Sequence, residues 1–168
     1  MFSGIFEQDL PRSALLNRYA ESGDYTDCFS TEVSRTVTHA QYVEAFYTTL
    51  VFKLERWILK WLVSRPSTDA GARSLAIGEA ERFAAWQVEA RAHNQLLMCD
   101  FRGNTRSWLM SETLGEGTRT RLYFGSAVVK HDGTGSGERR LKPAYAALLG
   151  FHRLYSRILL AAAKRKLR

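Results

Sequence analysis

One predicted strand carries charged and aromatic residues at a spacing that could support catalysis. In "TRSWLMSE", strand alternation places Arg106, Trp108, Met110 and Glu112 on one face. Because Trp108 and Met110 are apolar, we expect this face to point inward, with the two charges at its ends. An arginine there could bind a carboxylate or an enolate, and a carboxylate could accept a proton. The alternative is that Arg106 and Glu112 lie in water at the rim of the sheet.

Two further residues complete the set of candidate catalytic groups. In "TRLYFGSAVVK", Tyr123 could donate a hydrogen bond beside Gly125 and Ala127, whose small size leaves room for a ligand or a crossing helix. His152 lies beside the apolar stripe of the last predicted helix and could act there as an acid or a base. For Tyr123 the alternative is a core tyrosine with its hydroxyl at the edge, and for His152 a surface histidine.

Local spacing gives no indication of a metal or a cofactor. The four histidines occur singly, and Cys28 and Cys99 lie in no spacing that holds zinc or forms a redox pair. A GxSxG elbow is absent. The Gly-rich stretch "HDGTGSGERR" matches neither the phosphate-binding loop nor the dinucleotide fingerprint. We therefore expect neither a metal nor a cofactor.

Composition and charge predict one ordinary domain with a basic end. The chain has 168 residues, 45% of them hydrophobic and 24% charged, which suits a single globular domain over residues 1–168. Its net charge of +7 comes from the last 30 residues, which hold nine Lys/Arg and no Asp/Glu. The helix dipole favours such cations, and the alternative is a tail, residues 164–168, that touches anionic lipid or an acidic partner. Nucleic-acid binding is not indicated, and the N-terminal residues lack a signal-peptide pattern, so a cytoplasmic location is expected.

The order of predicted elements indicates an α+β protein. A short helix over Pro11–Ala20 precedes a strand in "DYTDCFSTEV", and a capping box of Thr38 and Gln41 starts a long helix from His39 to Ser64. "PSTDAGARS" is typical of a loop, and a short helical piece is expected near Leu75 to Ala80. Four strands with tight turns then predict an antiparallel meander, and Pro143 begins a long closing helix.

The second half of the long helix has more apolar surface than one sheet covers. Thr49, Lys53, Arg56 and Lys60 form a narrow polar stripe with apolar flanks on both sides, and these charges exclude a membrane span. The second flank is covered by the protein's own helices, by a second subunit or by a membrane surface.

Several segments together resemble the START-like, polyketide-cyclase-like helix-grip (SRPBCC) superfamily, and more closely a group of small bacterial proteins of that general type. The resemblance rests on "DYTDCFSTEV", "LLMCDFRGNTRSWLM", "TRLYFGSAVV" and "GFHRLYSRILLAAAKRK". It implies a curved antiparallel sheet wrapped on a long C-terminal helix. The long Trp-rich helix after the first strand departs from the family's pattern, and we expect residues 1–22 to form an N-terminal extension.

The resemblance also implies a hydrophobic cavity between the sheet and the C-terminal helix. The ligand would be lipid-like, polyketide-like or aromatic, either bound only or transformed by cyclase- or isomerase-type chemistry. The expected lining residues are Trp57, Trp61, Trp86, Trp108, Met110, Tyr123, Phe151 and Tyr155. The alternative function is a non-enzymatic interaction protein, dimeric or bound to an anionic membrane surface through the Trp-rich helix and the basic tail.

Overall fold

The computed structural model of the chain describes residues 4–52, 68–129 and 143–168, and the side chains of all of these except residues 143–152. It contains four helices and seven strands within these ranges. The helices are α1 (Asn17–Glu21), α2 (His39–Tyr47), α3 (Asp69–Ala76) and α4 (Pro143–Lys166). The strands are β1 (Phe6–Glu7), β2 (Tyr25–Val33), β3 (Arg82–Phe83), β4 (Trp86–Ala92), β5 (Gln95–Asp100), β6 (Thr105–Leu114) and β7 (Arg119–Val128).

The strands form one open antiparallel sheet in the order β1-β2-β7-β6-β5-β4-β3. The α+β class, the four-strand meander and the C-terminal helix are thus confirmed. The short edge strands β1 and β3 were not predicted. At the turn between β5 and β6, the Asp100 carboxylate accepts a hydrogen bond from the backbone N–H of Asn104 at 2.8 Å, as expected for a turn-capping residue.

Helices α2, α3 and α4 pack on one side of the sheet, which we call the helix-covered face. Val43 and Phe46 of α2, Leu75 of α3 and Leu160 of α4 are buried there against sheet residues such as Phe124. The rings of Phe46 and Phe124 are 4.9 Å apart. The Tyr42 hydroxyl adds a buried hydrogen bond of 2.9 Å to the carbonyl of Tyr123. This face therefore carries the larger part of the core.

The opposite side of the sheet is covered by residues 10–19, which we call the strap. Ala14 and Leu16 of the strap are buried against Cys28, Leu97 and Trp108 of the sheet. The Gln95 side chain holds the strap in place, since it accepts hydrogen bonds from the N–H of Leu15 and the indole of Trp108 and donates to the carbonyl of Ser13, each at 2.9 Å. The strap, which lies within the expected N-terminal extension of residues 1–22, thus contributes to the core.

The predicted long helix is wrong in its extent, because α2 ends at Tyr47 rather than at Ser64. The hydroxyls of Thr48 and Thr49 bond back to the carbonyls of Glu44 and Phe46, which competes with helix continuation. Thr49 also accepts a hydrogen bond from the N–H of Phe52, and a new helical stretch begins at residue 50. Residues 53–64 lie outside the described residues.

Two short helices also differ from their predictions. The segment "PSTDAGARS", expected to be a loop, contains most of α3. The Thr68 hydroxyl caps this helix by accepting a hydrogen bond from the N–H of Gly71, and Leu75 of the helix is completely buried. It ends at Ala76, before Gly78 with φ of +85°, rather than at Ala80. Of the helix expected over Pro11–Ala20, only the end is helical, because the preceding residues run as turns across the sheet.

The basic C-terminal residues are attached to the body of the protein. Helix α4 continues to Lys166, whose amine donates to the carbonyl of Thr48 at 3.4 Å, and Leu167 is buried. Among the described residues, no helix combines the length and low charge that a membrane crossing requires.

Candidate functional site

The candidate catalytic residues do not meet at one point. Arg106 and Glu112 share the strap-covered face, as the alternation predicted, but they stand six positions apart on β6, about 20 Å. His152 belongs to α4, which lies across the other side of the sheet, and its side chain is outside the described part. Only Glu112 and Tyr123 are brought together, with the tyrosine hydroxyl donating to the carboxylate at 2.7 Å. These residues therefore do not form a shared reaction centre.

Arg106 is engaged in a compact cluster between the strap and the sheet. Its Nε donates to Glu89 at 2.5 Å and to the Tyr19 hydroxyl at 2.7 Å, and that hydroxyl donates to the other Glu89 oxygen at 2.5 Å. The guanidinium also lies over the Tyr19 ring, 4.8 Å from its centroid, and donates to the carbonyl of Gly103. Burial, and then the hydrogen bond to Glu89, raise the pKa of Tyr19. The cluster fastens α1 to the sheet.

Glu89 was missed by the sequence analysis because β4 contains a bulge. The pairing register of β4 with β5 shifts between Val88 and Ala90. Val88 packs on the helix-covered face, whereas Ala90 packs under the strap. Glu89, between them, reaches Arg106 on the strap side. A bulge redirects side chains without leaving a local signal in a sequence such as "WQVEARA". Tyr19 was missed because the helix predicted over Pro11–Ala20 carried no signal of where on the sheet it would pack.

At the other end of the same face, Glu112 and Tyr123 belong to a chain of polar contacts near the rim. Arg121 donates two hydrogen bonds to one Glu32 oxygen, at 2.8 and 3.1 Å, and Arg119 lies 3.0 Å from the other. The hydrogen bond from Arg121 is the main cause that holds the pKa of Glu32 below its usual value. Burial raises the pKa of Tyr123. The side chain of Glu112 is 44% exposed, so this end of the face is in contact with solvent.

The expected ligand-lining residues are divided between the two faces. Trp108, Met110 and Tyr123 lie under the strap, while Trp86 and Tyr155 pack against the helix-covered core. Trp57 and Trp61 are outside the described residues, as is the side chain of Phe151.

The space predicted beside Gly125 is occupied by the protein itself. A Cβ atom at this position would lie 2.9 Å from Trp108, 2.9 Å from the Asp27 carbonyl and 3.0 Å from Leu16. The glycine therefore admits the Trp108 ring and the strap rather than a ligand.

His39, at the start of α2, places a buried polar atom without a partner in the described parts of the chain on the helix-covered face. Its Nδ1 lies 3.3 Å from the Ser111 hydroxyl, and its ring stands edge-on to Tyr42. Its Nε2 is buried and makes no hydrogen bond to any described residue. Burial is the main cause that lowers the pKa of His39 to about 4, with Arg91 and His93 acting in the same direction. The sequence placed His39 beside a helix cap, but it did not predict its contact with Ser111, 72 positions away.

The lowered pKa of His39 predicts a specific dependence of stability on pH. The unfolded chain binds a proton near pH 6.5, whereas the folded chain resists until about pH 4, so the stability from this group is complete above pH 6.5 and decreases as the pH falls. From pH 7 to 4.5 the loss is about 2 to 3 kcal/mol. Urea unfolding at both pH values should show a smaller loss in His39→Leu than in the wild type. An equal loss in wild type and His39→Leu would contradict this assignment.

Within the described residues, no group of three or more His, Cys, Asp or Glu side chains is arranged to hold a metal ion. Comparisons of the chain with protein-family models, with curated proteins and with solved structures find no match.

Proposed function

We propose that this protein binds a hydrophobic small molecule, lipid-like, polyketide-like or aromatic, between its helices and its sheet. The observation that carries the proposal is the buried Nε2 atom of His39, which has no hydrogen-bond partner among the described residues and lies on the helix-covered face. A buried polar atom of this kind costs about 1 to 3 kcal/mol unless a partner is supplied. A hydroxyl or carbonyl group of a ligand is such a partner.

An aromatic layer on the same face supports an apolar ligand. The rings pack with centroid distances from 4.8 to 6.3 Å, and their residues are Tyr42, Phe46, Tyr47, Phe52, Phe83 and Phe124. Sites for hydrophobic molecules are typically lined by such side chains, with a few polar groups that fix orientation. The order of the elements is also consistent with a helix-grip protein, since β7 returns to pair with β2 and α4 then crosses the sheet.

The same geometry favours binding over catalysis. A side chain with a pKa of about 4 is a weak base at neutral pH, so His39 suits a hydrogen bond better than the removal of a proton. Ser111 fixes the orientation of the ring. Arg106 is already engaged by Glu89 and Tyr19 on the opposite face.

A double variant, His39→Leu with Ser111→Ala, tests this proposal. We expect its free energy of unfolding to stay within about 1 kcal/mol of the wild type or to exceed it, because an unsatisfied polar atom is removed with its neighbour. Its affinity for a probe with a hydroxyl group should fall about tenfold, which corresponds to one lost hydrogen bond. Titration calorimetry with decanol and with 2-naphthol, each beside naphthalene as the probe without a hydroxyl, measures both effects.

The control for this experiment is Met110→Leu, a volume-conserving change under the strap on the other side of the sheet. It should leave binding unchanged. If neither hydroxylated probe binds the wild type, or if the double variant binds them as tightly, the proposal is wrong.

One observation favours the alternative, an interaction protein that acts as a dimer or at an anionic membrane surface. Leu50 is 84% exposed at the start of the helical stretch that leads into the Trp-rich segment. Light scattering that gives a monomer would remove the dimer, and liposome binding that does not depend on anionic lipid would remove the membrane surface.

A further inference from the structure

A cleft of about 470 Å³ separates the end of α4 from the residues at the end of β2. Its lining residues come from two segments of the chain: Glu32, Val33, Ser34, Arg35, Lys164, Leu167 and Arg168. We propose that this cleft binds a phosphate-class anion through Arg35, Lys164 and Arg168. The proposal goes beyond the hydrophobic ligand and does not depend on it.

The charges around the cleft are out of balance. Glu32 is the one carboxylate side chain among its lining residues, and it is already bound by Arg119 and Arg121 at 3.0 and 2.8 Å. Arg35, Lys164 and Arg168 make no ion pair within the described parts of the chain. Three cations therefore face the cleft beside a single carboxylate side chain, Glu32, which two other arginines already bind.

The helix dipole does not account for this excess. The C-terminal end of a helix such as α4 carries about half of one negative charge, and it attracts cations in the last turn. Half a charge does not offset three. Lys166 is moreover directed to Thr48, so the basic residues at the end of α4 have separate roles.

Lys164 is held in the cleft at some cost. Its side chain is half-buried. The backbone of Gly4 lies so close to the Lys164 amine that a Cβ atom at Gly4 would be only 2.7 Å from it. Burial is the first cause that lowers the pKa of Lys164, and the nearby Arg168 is the second. A bound anion would offset both effects.

The cations suit phosphate in particular. The arginine side chains provide planar pairs of N–H donors that match two phosphate oxygens, and the lysine adds a compact point charge. The volume falls within the usual range of small-molecule sites, about 300 to 1,000 Å³. The phosphate could belong to a free phosphate ester or to the headgroup of a phospholipid, and the experiment below separates the two.

The test is a titration of the ¹⁵N-labelled protein with inorganic phosphate, at an ionic strength kept constant with chloride. We expect saturable shifts of the amide signals of residues 32–35 and 164–168. We expect phosphate binding to weaken about tenfold or more in Lys164→Gln. The same loss is expected in a separate variant, Arg35→Gln, which changes an exposed residue. Arg102→Gln removes an exposed cation that stacks on Phe101, far from these residues in the chain, and should leave the affinity unchanged.

A second arm measures binding to vesicles that contain phosphatidic acid and to vesicles of phosphatidylcholine alone. Binding to the acidic vesicles that is lost in Arg35→Gln assigns the phosphate to a lipid headgroup, while phosphate binding without vesicle binding assigns it to a free ester. The proposal is overturned if inorganic phosphate and acidic vesicles both fail to bind, or if Arg102→Gln weakens binding as much as the two cleft variants. Arg35→Gln keeps the test valid if Lys164→Gln folds poorly.

Discussion

Replacing Trp108 by alanine should lower the free energy of unfolding by about 3 to 5 kcal/mol, the usual cost of removing a large buried ring. Trp108 is completely buried between the strap and the sheet, and its indole N–H donates to Gln95 at 2.9 Å. Its ring also fills the space above Gly125. The substitution therefore removes packing and leaves a buried acceptor with one partner fewer. Urea unfolding followed by far-UV circular dichroism measures the change.

The matched control is Trp86→Ala on the helix-covered side, where the tryptophan is only half-buried. Its cost should be clearly smaller. A loss below about 1 kcal/mol for Trp108→Ala would show that this ring borders open space rather than a packed core, since an unfilled site has little packing to lose.

Removing Arg106 alone should destabilise the protein by about 3 kcal/mol, because the Glu89 carboxylate would keep its burial but lose its closest cation. The side chains of Arg106 and Glu89 are only 12% and 20% exposed, and their contact is 2.5 Å long. Arg106→Leu tests this expectation. The double variant Arg106→Leu, Glu89→Leu should recover more than half of the loss, since no unpaired charge remains.

Thermal and urea unfolding of the wild type, both single variants and the double variant complete a double-mutant cycle. Arg121→Leu is the comparison on the same face, where the guanidinium is 36% exposed and where a smaller effect is expected. Additive losses at Arg106 and Glu89 would contradict the coupling. A loss of ligand binding without any loss of stability in Arg106→Leu would return this arginine to a direct functional role.

The sequence was sufficient for the fold class because strand alternation and turn residues are local signals. The Gly and Asn residues of "FRGN" marked the turn between β5 and β6, and the capping box at Thr38 marked the start of α2. The end of α2 was harder to predict, since threonine is tolerated inside helices. The hydroxyls of Thr48 and Thr49 end the helix through hydrogen bonds that depend on local geometry.

The candidate site was harder to predict because it depends on which element covers which face. Alternation placed Trp108 and Met110 on one face of their strand, but it did not say whether a helix or another segment would lie over them. The strap was expected to be a short helix, yet most of it runs as turns, and its Leu16 is fully buried against the sheet. His39 likewise contacts Ser111, and no spacing rule predicts a contact between residues 72 positions apart.

The central claim is that a hydrophobic molecule occupies a site between the helices and the sheet. Native mass spectrometry of the purified protein, before and after incubation with a lipid extract of the expression host, tests it most directly. The account predicts one apolar molecule per chain, lost on denaturation and held less well by the His39→Leu, Ser111→Ala double variant. A spectrum of the bare chain under both conditions would contradict the account.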